Sequence, residues 1–229
     1  MLNNIPSHVA VIMDGNARWA QNNNLSKEKG YEKGIESLNN LIKSCIKYNI
    51  NFLTVYALST ENVKRQDINI LYSLIRKVIK EINLKDYKDI KFKLIGNRSN
   101  IDSDILNFFE NLEKDNINKK KITLNLAYNY GSWDEILDCF NRILKNYKFS
   151  SKSKKITKEI IAKNLYTYDS PNPDILIRTG GNKRLSNFLL LQLKYTELFF
   201  TDILWPDFNE NNLLEILKDF NNRKRTYGL

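Results

Sequence analysis

Apolar residues recur every three or four positions in several segments of the chain, which is the spacing of one face of an α-helix. These segments span residues 35–46, 68–82, 101–112 and 136–144. Short continuous apolar runs lie between them, and such runs are typical of strands buried in a parallel sheet. Strands are predicted over residues 8–13, 50–57, 90–95, 122–128, 174–178 and 197–203.

Strands that alternate with helices predict an α/β fold. We expect one domain over residues 1–229, built on a mostly parallel six-stranded sheet flanked by helices. With 229 residues, 42% of them hydrophobic, the chain is long enough to bury one sizeable core.

The first predicted strand runs directly into a polar, glycine-containing turn. Residues 9–13 are apolar, and Asp14, Gly15, Asn16 and Arg18 follow at once. Ligands of open α/β sheets bind at the carboxyl ends of the strands, where a carboxylate can hold a cation and an arginine can grip a phosphate. The segment indicates a phosphate and metal site, although an Asp-Gly turn that caps a helix would give the same local pattern.

Two further strand ends carry polar and basic groups. Residues 56–65 follow one apolar run, and residues 174–181 end another with Arg178 before Gly180 and Gly181. Packing alone hardly explains an arginine at such a strand end. A functional site where three strand ends converge is therefore favoured.

The net charge of +10 suits nucleic acid, an anionic membrane surface or phosphorylated substrates. A compositional bias toward lysine on solvated faces would give the same excess, and residues 145–155 are interpreted as such a polar connection. The aromatic residues Phe92, Phe140 and Phe199 lie in apolar runs and are expected in the core, so no nucleic-acid partner is expected.

Cysteine and histidine content limits the possible metal chemistry. Cys45 and Cys139 lie on two predicted helices without paired spacing, and they are interpreted as buried thiols of a reducing compartment. The single histidine argues against a Cys/His zinc site, so any metal is expected to have oxygen ligands, which favours Mg²⁺. The absence of a membrane-spanning run or signal peptide predicts a cytoplasmic protein.

Missing motifs exclude other enzyme classes. The sequence has no Gly-x-x-x-x-Gly-Lys-[Ser/Thr] segment of a P-loop enzyme and no Gly-x-Gly-x-x-Gly segment of a dinucleotide-binding fold.

Five blocks in the same order and spacing resemble the cis-prenyltransferase family, and within it the bacterial undecaprenyl diphosphate synthases. The resemblance extends from His8 to Gly228, and the absence of Asp-Asp-x-x-Asp disfavours the all-helical trans-prenyltransferases. The blocks are residues 8–19, residues 56–65, residues 174–181, residues 184–188, and Glu197 with residues 205–208.

The resemblance implies condensation of an allylic diphosphate, usually farnesyl diphosphate, with isopentenyl diphosphate to extend a chain with cis double bonds. Negative charge that develops on the departing diphosphate would be stabilised by Mg²⁺, backbone amides and arginines. An apolar tunnel would hold the growing chain. Its expected lining is Ala57, Leu71, Leu74, Ile75, Val78, Ile95 and Leu126.

The resemblance also implies roles for individual residues. Asp14 would hold the metal, with Glu197 near it either within one chain or across a dimer interface. Asn62 stands where the family is assigned a proton acceptor, and because an amide is a poor base we expect it to position the substrate or relay the proton to a diphosphate oxygen.

Substrate contacts are implied as well. The allylic diphosphate would bind beside Trp19 to Gly15, Asn16, Ala17 and Arg18, and isopentenyl diphosphate would bind to Arg178, Arg184 and Ser186. Further implied substrate contacts are Lys27, Tyr31, Ser59, Thr60, Glu61, Val63, Arg65 and Leu185.

Several positions depart from the family pattern. Lys27 replaces an arginine, Tyr31 a histidine and Val63 a tryptophan, while Leu58 and Trp133 replace a phenylalanine and an arginine. Tyrosine brings a hydrogen-bond donor without charge, and lysine lacks the bidentate fork of arginine. We therefore expect diphosphate binding to be weaker or differently shaped at these positions.

Two functional hypotheses remain open. The first is an active enzyme, expected to be a homodimer that makes undecaprenyl diphosphate for a cell-wall lipid carrier and meets the inner face of the membrane to release it. A shorter-chain or dolichol-type synthase is a variant of this hypothesis. The second is a non-catalytic subunit of a heteromeric member, which would usually lack Asp14 and Arg178. The short segment before His8 favours the bacterial form, and residues 225–228 match a terminal segment that approaches a neighbouring active site.

Overall fold

The computed structural model describes residues 4–64, 68–81, 88–99, 101–114, 121–146 and 155–224. The predicted contact Arg65, the C-terminal residues 225–228 and the side chain of Val78 lie outside the described residues, as does most of the predicted polar connection 145–155.

One sheet of six strands lies at the centre of the described structure. The strands are β1 (His8–Ile12), β2 (Phe52–Ser59), β3 (Ile90–Ile95), β4 (Ile122–Tyr130), β5 (Ile175–Arg178) and β6 (Glu197–Phe200). Their order is β3-β4-β2-β1-β5-β6, and every neighbouring pair is parallel. The predicted single-domain α/β fold is confirmed, and the sheet is entirely rather than mostly parallel.

Seven α-helices flank the sheet within the described residues. Polar side chains cap two of them, since Thr157 accepts a hydrogen bond from the backbone of Ile160 and Asn209 forms a capping box with Asn212. The helices are α1 (Asn16–Asn22), α2 (Lys27–Lys47), α3 (Ile68–Glu81), α4 (Ser103–Lys114), α5 (Ser132–Asn146), α6 (Lys158–Asn164) and α7 (Glu210–Asn222).

Strand alternation divides the core into two faces. On the first, here called the tunnel face, side chains such as Val11 and Val55 pack with residues of α2, α3, α4 and α7. On the second face, Ala10 and Ile12 pack against Phe188 and Leu189, and α5 and α6 form a separate small cluster. The predicted buried thiols are confirmed, because Cys45 and Cys139 are both buried and free.

The structure corrects the predicted face of α5. The periodic segment 136–144 predicts that Leu137, Phe140 and Leu144 face the core, but they are 59%, 41% and 62% exposed. The helix instead turns Glu135 and Cys139 inward, because Glu135 Oε2 accepts hydrogen bonds from Tyr130 at 2.5 Å and Gln192 at 3.0 Å. These bonds hold the Glu135 side of α5 toward the protein, which leaves the opposite, more apolar side exposed.

A network of neutral polar groups is buried toward the amino ends of the strands. His8 Nδ1 lies 2.6 Å from the carbonyl oxygen of Pro171, and Nε2 lies 2.7 Å from Thr54 Oγ1. Asn125 Nδ2 donates to Thr54 Oγ1 at 3.0 Å and to Ser170 Oγ at 3.2 Å. A carbonyl oxygen only accepts hydrogen bonds, so the network assigns the proton of the neutral ring to Nδ1. Burial lowers the pKa of His8 to about 4, against the opposing effects of Pro171 and Asp174.

Among the described residues, none of the helices combines the length and apolar character that crossing a bilayer requires.

Candidate active site

The carboxyl end of β1 lies at the middle of the sheet, between β2 and β5. Gly15 follows Asp14 with φ 122°, and a Cβ atom at Gly15 would lie 3.0 Å from Leu204. This tight turn starts α1, so Asp14 faces the crevice outside the strand ends where α/β sheets bind ligands.

Three donors surround the carboxylate of Asp14. Arg18 Nη2 donates to Oδ1 at 3.0 Å, while Arg178 Nη2 and Asn182 Nδ2 donate to Oδ2 at 2.9 and 2.8 Å. Partial burial by itself would raise the pKa of Asp14, but the hydrogen bonds from Asn182, Arg178 and Arg18 outweigh it and hold this pKa below its ordinary value. Asp14 is therefore an anion that directs its oxygens into a cationic site.

Arg178 is fixed by its own partners. It ends β5, its side chain is 5% exposed, and its Nη1 donates to the carbonyl oxygen of Arg184 at 2.5 Å and to Ser186 Oγ at 2.8 Å. Its Nε is buried and has no hydrogen-bond partner among the described residues. A buried guanidinium nitrogen is rarely left unsatisfied.

A polar cavity of about 660 Å³ opens at this crevice. Within its lining, the guanidinium groups of Arg18, Arg178 and Arg184 accompany the carboxylates of Asp14 and Glu61. The structure brings together twelve of the predicted site residues there: Asp14, Gly15, Asn16, Ala17, Arg18, Tyr31, Ser59, Glu61, Asn62, Arg178, Arg184 and Ser186.

An apolar cavity of about 250 Å³ continues from the polar one on the tunnel face. Of the predicted tunnel residues, Ala57, Leu71, Leu74, Ile75 and Leu126 line it. Ile95 does not, because alternation along β3 places its side chain in the core of the second face. Residues that line both cavities are Met13, Asn16, Tyr31, Tyr56, Ala57 and Leu71.

Several predicted contacts lie outside the lining of the polar cavity among the described residues. The indole nitrogen of Trp19 donates to Asp207 Oδ1 at 2.7 Å, which turns the ring away from the predicted diphosphate site. Thr60 Oγ1 donates to Asp134 at 2.9 Å, and Val63 and Leu185 pack against the two hydrophobic clusters. Lys27 lies exposed at the start of α2.

The structure does not place Glu197 beside Asp14 within one chain. Glu197 pairs with Ile175 at the start of β6, whereas Ile12, two residues before Asp14, pairs with Arg178. The three residues from Ile175 to Arg178 correspond to about 10 Å along the strands. The carboxylate of Glu197 instead binds Arg223 at 2.7 Å. Of the two alternatives left open for Glu197, these contacts do not support a position near the cation of its own chain, and delivery across a dimer interface stays a prediction.

Sequence reasoning missed two asparagines of the cavity. Asn182 donates to Asp14, and Asn187 Nδ2 donates to Glu61 Oε1 at 2.9 Å. A signal was present for Asn182, because Gly180 and Gly181 precede it and both adopt positive φ, 80° and 78°. Two such residues turn the chain back sharply toward β1.

The family described as "Putative undecaprenyl diphosphate synthase" matches residues 12–228. The chain belongs to this family. Among curated isoprenyl transferases, that of Fusobacterium nucleatum is 42% identical over 231 positions, which cover 100% of this chain and 98% of the relative. The isoprenyl transferase of Aquifex aeolicus is 40% identical over 227 positions, covering 98% and 96%.

Solved structures of this family share the fold. Lavandulyl diphosphate synthase of Lavandula x intermedia, in complex with dimethylallyl diphosphate, has a TM-score of 0.91 at 29% identity and covers 98% of this chain and 99% of its own. A probable undecaprenyl diphosphate synthase of Campylobacter jejuni has a TM-score of 0.81 at 29% identity, covering 99% and 100%. Membership in the isoprenyl transferase family, predicted from five sequence blocks, is confirmed.

Proposed function

We propose that this isoprenyl transferase condenses isopentenyl diphosphate with an allylic diphosphate, farnesyl diphosphate, to give a long-chain polyprenyl diphosphate. The product proposed is undecaprenyl diphosphate for a cell-wall lipid carrier. The observation that carries the proposal is the continuity of a cationic cavity with an apolar one through six shared residues. That shape fits a ligand with an anionic head and an apolar tail.

Both diphosphates have partners in the polar cavity. Arg18 and the start of α1 face the turn after β1, where the allylic head would bind, and Arg184 and Ser186 lie beside Arg178, where isopentenyl diphosphate would bind. Fixed guanidinium groups stabilise charge that develops on a departing diphosphate without reorganising, so their contribution grows toward the transition state.

We infer that Mg²⁺ assists at Asp14. No cluster of three or more His, Cys, Asp or Glu side chains occurs in the described residues, so the protein would supply few ligands. That suits Mg²⁺, which keeps several waters and commonly uses one or two carboxylates with substrate phosphates. The donor set fits, because Asp14 is anionic and Asn182 adds an amide beside it. When bound, Mg²⁺ would neutralise charge on the leaving diphosphate.

Asn62 lies in the lining of the polar cavity and begins a short 3₁₀-helix, Asn62–Lys64. Its backbone N–H donates to Ser59 Oγ at 3.1 Å, which fixes the turn. A carboxamide does not accept a full proton near neutral pH. We propose that Asn62 orients isopentenyl diphosphate while a diphosphate oxygen receives the proton.

We propose a homodimer that contacts the membrane peripherally in the cytoplasm when it releases product. Exposed apolar side chains on α5 and near β6 support an interface between copies, and they include Trp133 at 65% and Leu198 at 40% exposure. Such an interface would also give the displaced Glu197 a route to the site of a second copy.

A short-chain condensation is the second candidate. It is favoured by the TM-score of 0.91 to a lavandulyl diphosphate synthase solved with dimethylallyl diphosphate. The two candidates differ in the tail that the apolar cavity must accept, so product length separates them.

The deciding experiment incubates purified protein with Mg²⁺ and labelled isopentenyl diphosphate, plus either farnesyl or dimethylallyl diphosphate. Products are then resolved by chain length. We expect long-chain products from farnesyl diphosphate. Products of one or two condensations would establish the short-chain candidate, and no product from either primer would support a non-catalytic subunit.

A further inference from the structure

Asn182 shares one oxygen of Asp14 with a buried arginine. Its Nδ2 donates to Oδ2 at 2.8 Å, and Arg178 Nη2 donates to the same atom at 2.9 Å, while Arg18 holds Oδ1 at 3.0 Å. Of these three donors, Asn182 alone is neutral. Its side chain also lines the polar cavity.

The three donors differ in what else they can offer. A guanidinium has donors only, so Arg18 and Arg178 cannot present an oxygen and their charge repels a cation. A carboxamide carries two N–H donors and an acceptor oxygen, and a half-turn about its last torsion exchanges them. Of the three partners of Asp14, Asn182 alone can donate a hydrogen bond to the carboxylate in the empty site and present an oxygen when a cation is bound.

The backbone holds Asn182 in place for this exchange. Gly180 N–H donates to the carbonyl oxygen of Ile203 at 2.8 Å, and Gly181 N–H donates to that of Thr201 at 2.9 Å. These bonds tie the turn before Asn182 to the segment after β6. The side chain can rotate while its Cα stays fixed.

We propose that Asn182 is a further residue of the cation site, which holds Asp14 through its amide nitrogen in the empty site and turns its amide oxygen toward a divalent cation bound at Asp14. This rests on the proposed function, since that places the cation at Asp14. An amide oxygen is a neutral ligand of the kind that hard cations accept, directly or through a bound water. Its partial negative charge would partly offset the repulsion between the cation and the two neighbouring arginines, without adding a formal charge.

The test measures divalent-cation binding directly, with Mn²⁺ as a paramagnetic substitute for Mg²⁺ and the free ion counted by electron paramagnetic resonance. Titrations compare the full-length wild type with Asn182→Leu, Asn182→Asp and Asn40→Asp, each with and without inorganic pyrophosphate. Asn40→Asp is the matched control, because it adds the same charge at an exposed position of α2 that lines neither cavity. Thermal unfolding verifies that each variant is folded.

We expect Asn182→Leu to bind Mn²⁺ at least fivefold more weakly than wild type, Asn182→Asp to bind it at least tenfold more tightly, and Asn40→Asp to stay within twofold. Equal or tighter binding by Asn182→Leu would show that the amide only competes for Asp14, and it would overturn the inference. If wild type binds Mn²⁺ neither with nor without pyrophosphate, the proposed cation at Asp14 fails first and this inference falls with it.

Discussion

Two polar clusters occupy opposite ends of the same sheet, and they are built differently. At the carboxyl ends, Asp14 and Glu61 face three arginines in an open cavity. Toward the amino ends, His8, Thr54 and Asn125 are neutral, and each is at most 1% exposed. The first cluster concentrates charge next to solvent. The second is closed to solvent, and the Asp174 carboxylate beside it accepts a hydrogen bond from the backbone N–H of His8.

The difference separates function from stability. Charges that line an open cavity are partly screened by water, and they are ready for an anionic ligand. A buried neutral network is closed to ligands, but each hydrogen bond lost inside it leaves an unsatisfied partner. We therefore expect changes at the carboxyl end to affect turnover and changes at the amino end to affect folding.

The largest expected effect is at the carboxyl end. Asp14→Ala should lower the turnover number roughly a thousandfold or more, because charge on the leaving diphosphate loses several kcal/mol of stabilisation. The variant should remain folded, since Arg178 keeps Arg184 and Ser186 as partners, and turnover is compared below the unfolding transition in urea. Near-normal turnover would remove Asp14 from the mechanism.

The counterpart at the amino end is His8→Ala. It removes the ring that bridges Pro171 and Thr54 and leaves a buried cavity, so we expect a loss of about 3 kcal/mol in the free energy of unfolding. Urea denaturation measures it. Below the unfolding transition, the turnover number should stay within about twofold of wild type, and a loss of activity without a loss of stability would contradict the comparison.

The pH dependence of stability sharpens the same comparison. The pKa of His8 is about 4 when folded and about 6.5 otherwise, so between these values the unfolded chain binds more protons. Stability should be full above about pH 6.5 and fall as the pH is lowered to about 4, by about 3 kcal/mol in all. His8 is the single histidine of the sequence, so the difference between wild type and His8→Ala isolates it. Parallel pH profiles would refute the assignment.

The smallest expected effect distinguishes the two diphosphate sites within the cluster at the carboxyl ends. Arg184→Ala should raise the Michaelis constant for isopentenyl diphosphate about tenfold and that for farnesyl diphosphate much less, because Arg184 lies on the Arg178 side of the cavity. Lys183→Ala is the control, since this neighbouring cation is exposed and outside the cavity lining. Equal effects on both substrates would contradict separate diphosphate sites.

The parts of the fold and the site that depend on local structure could be predicted from the sequence pattern. The turn after β1 and the end of β5 follow from apolar runs that stop at Asp14 and Arg178, so both could be placed from the sequence. The register of β6 could not be predicted from the sequence. It pairs Glu197 with Ile175, at the opposite end of β5 from Arg178 and therefore away from Asp14. The rotation of α5 depends on the bond between Tyr130 and Glu135, and Asn182 reaches Asp14 across 168 positions. Contacts of this kind arise only in the folded chain.

The polar and apolar cavities meet at the six residues that line both, and this arrangement affects how the enzyme can change during evolution. Around Asp14 the groups come from strand ends, the turns that follow them and the start of α1, whereas the far walls of the apolar cavity come from helices such as α3 and α4. A substitution on Phe108 or Leu112 alters the room for a tail without moving a group at Asp14. Chemistry and capacity can therefore be inherited and modified separately, and related enzymes can diverge in one while retaining the other.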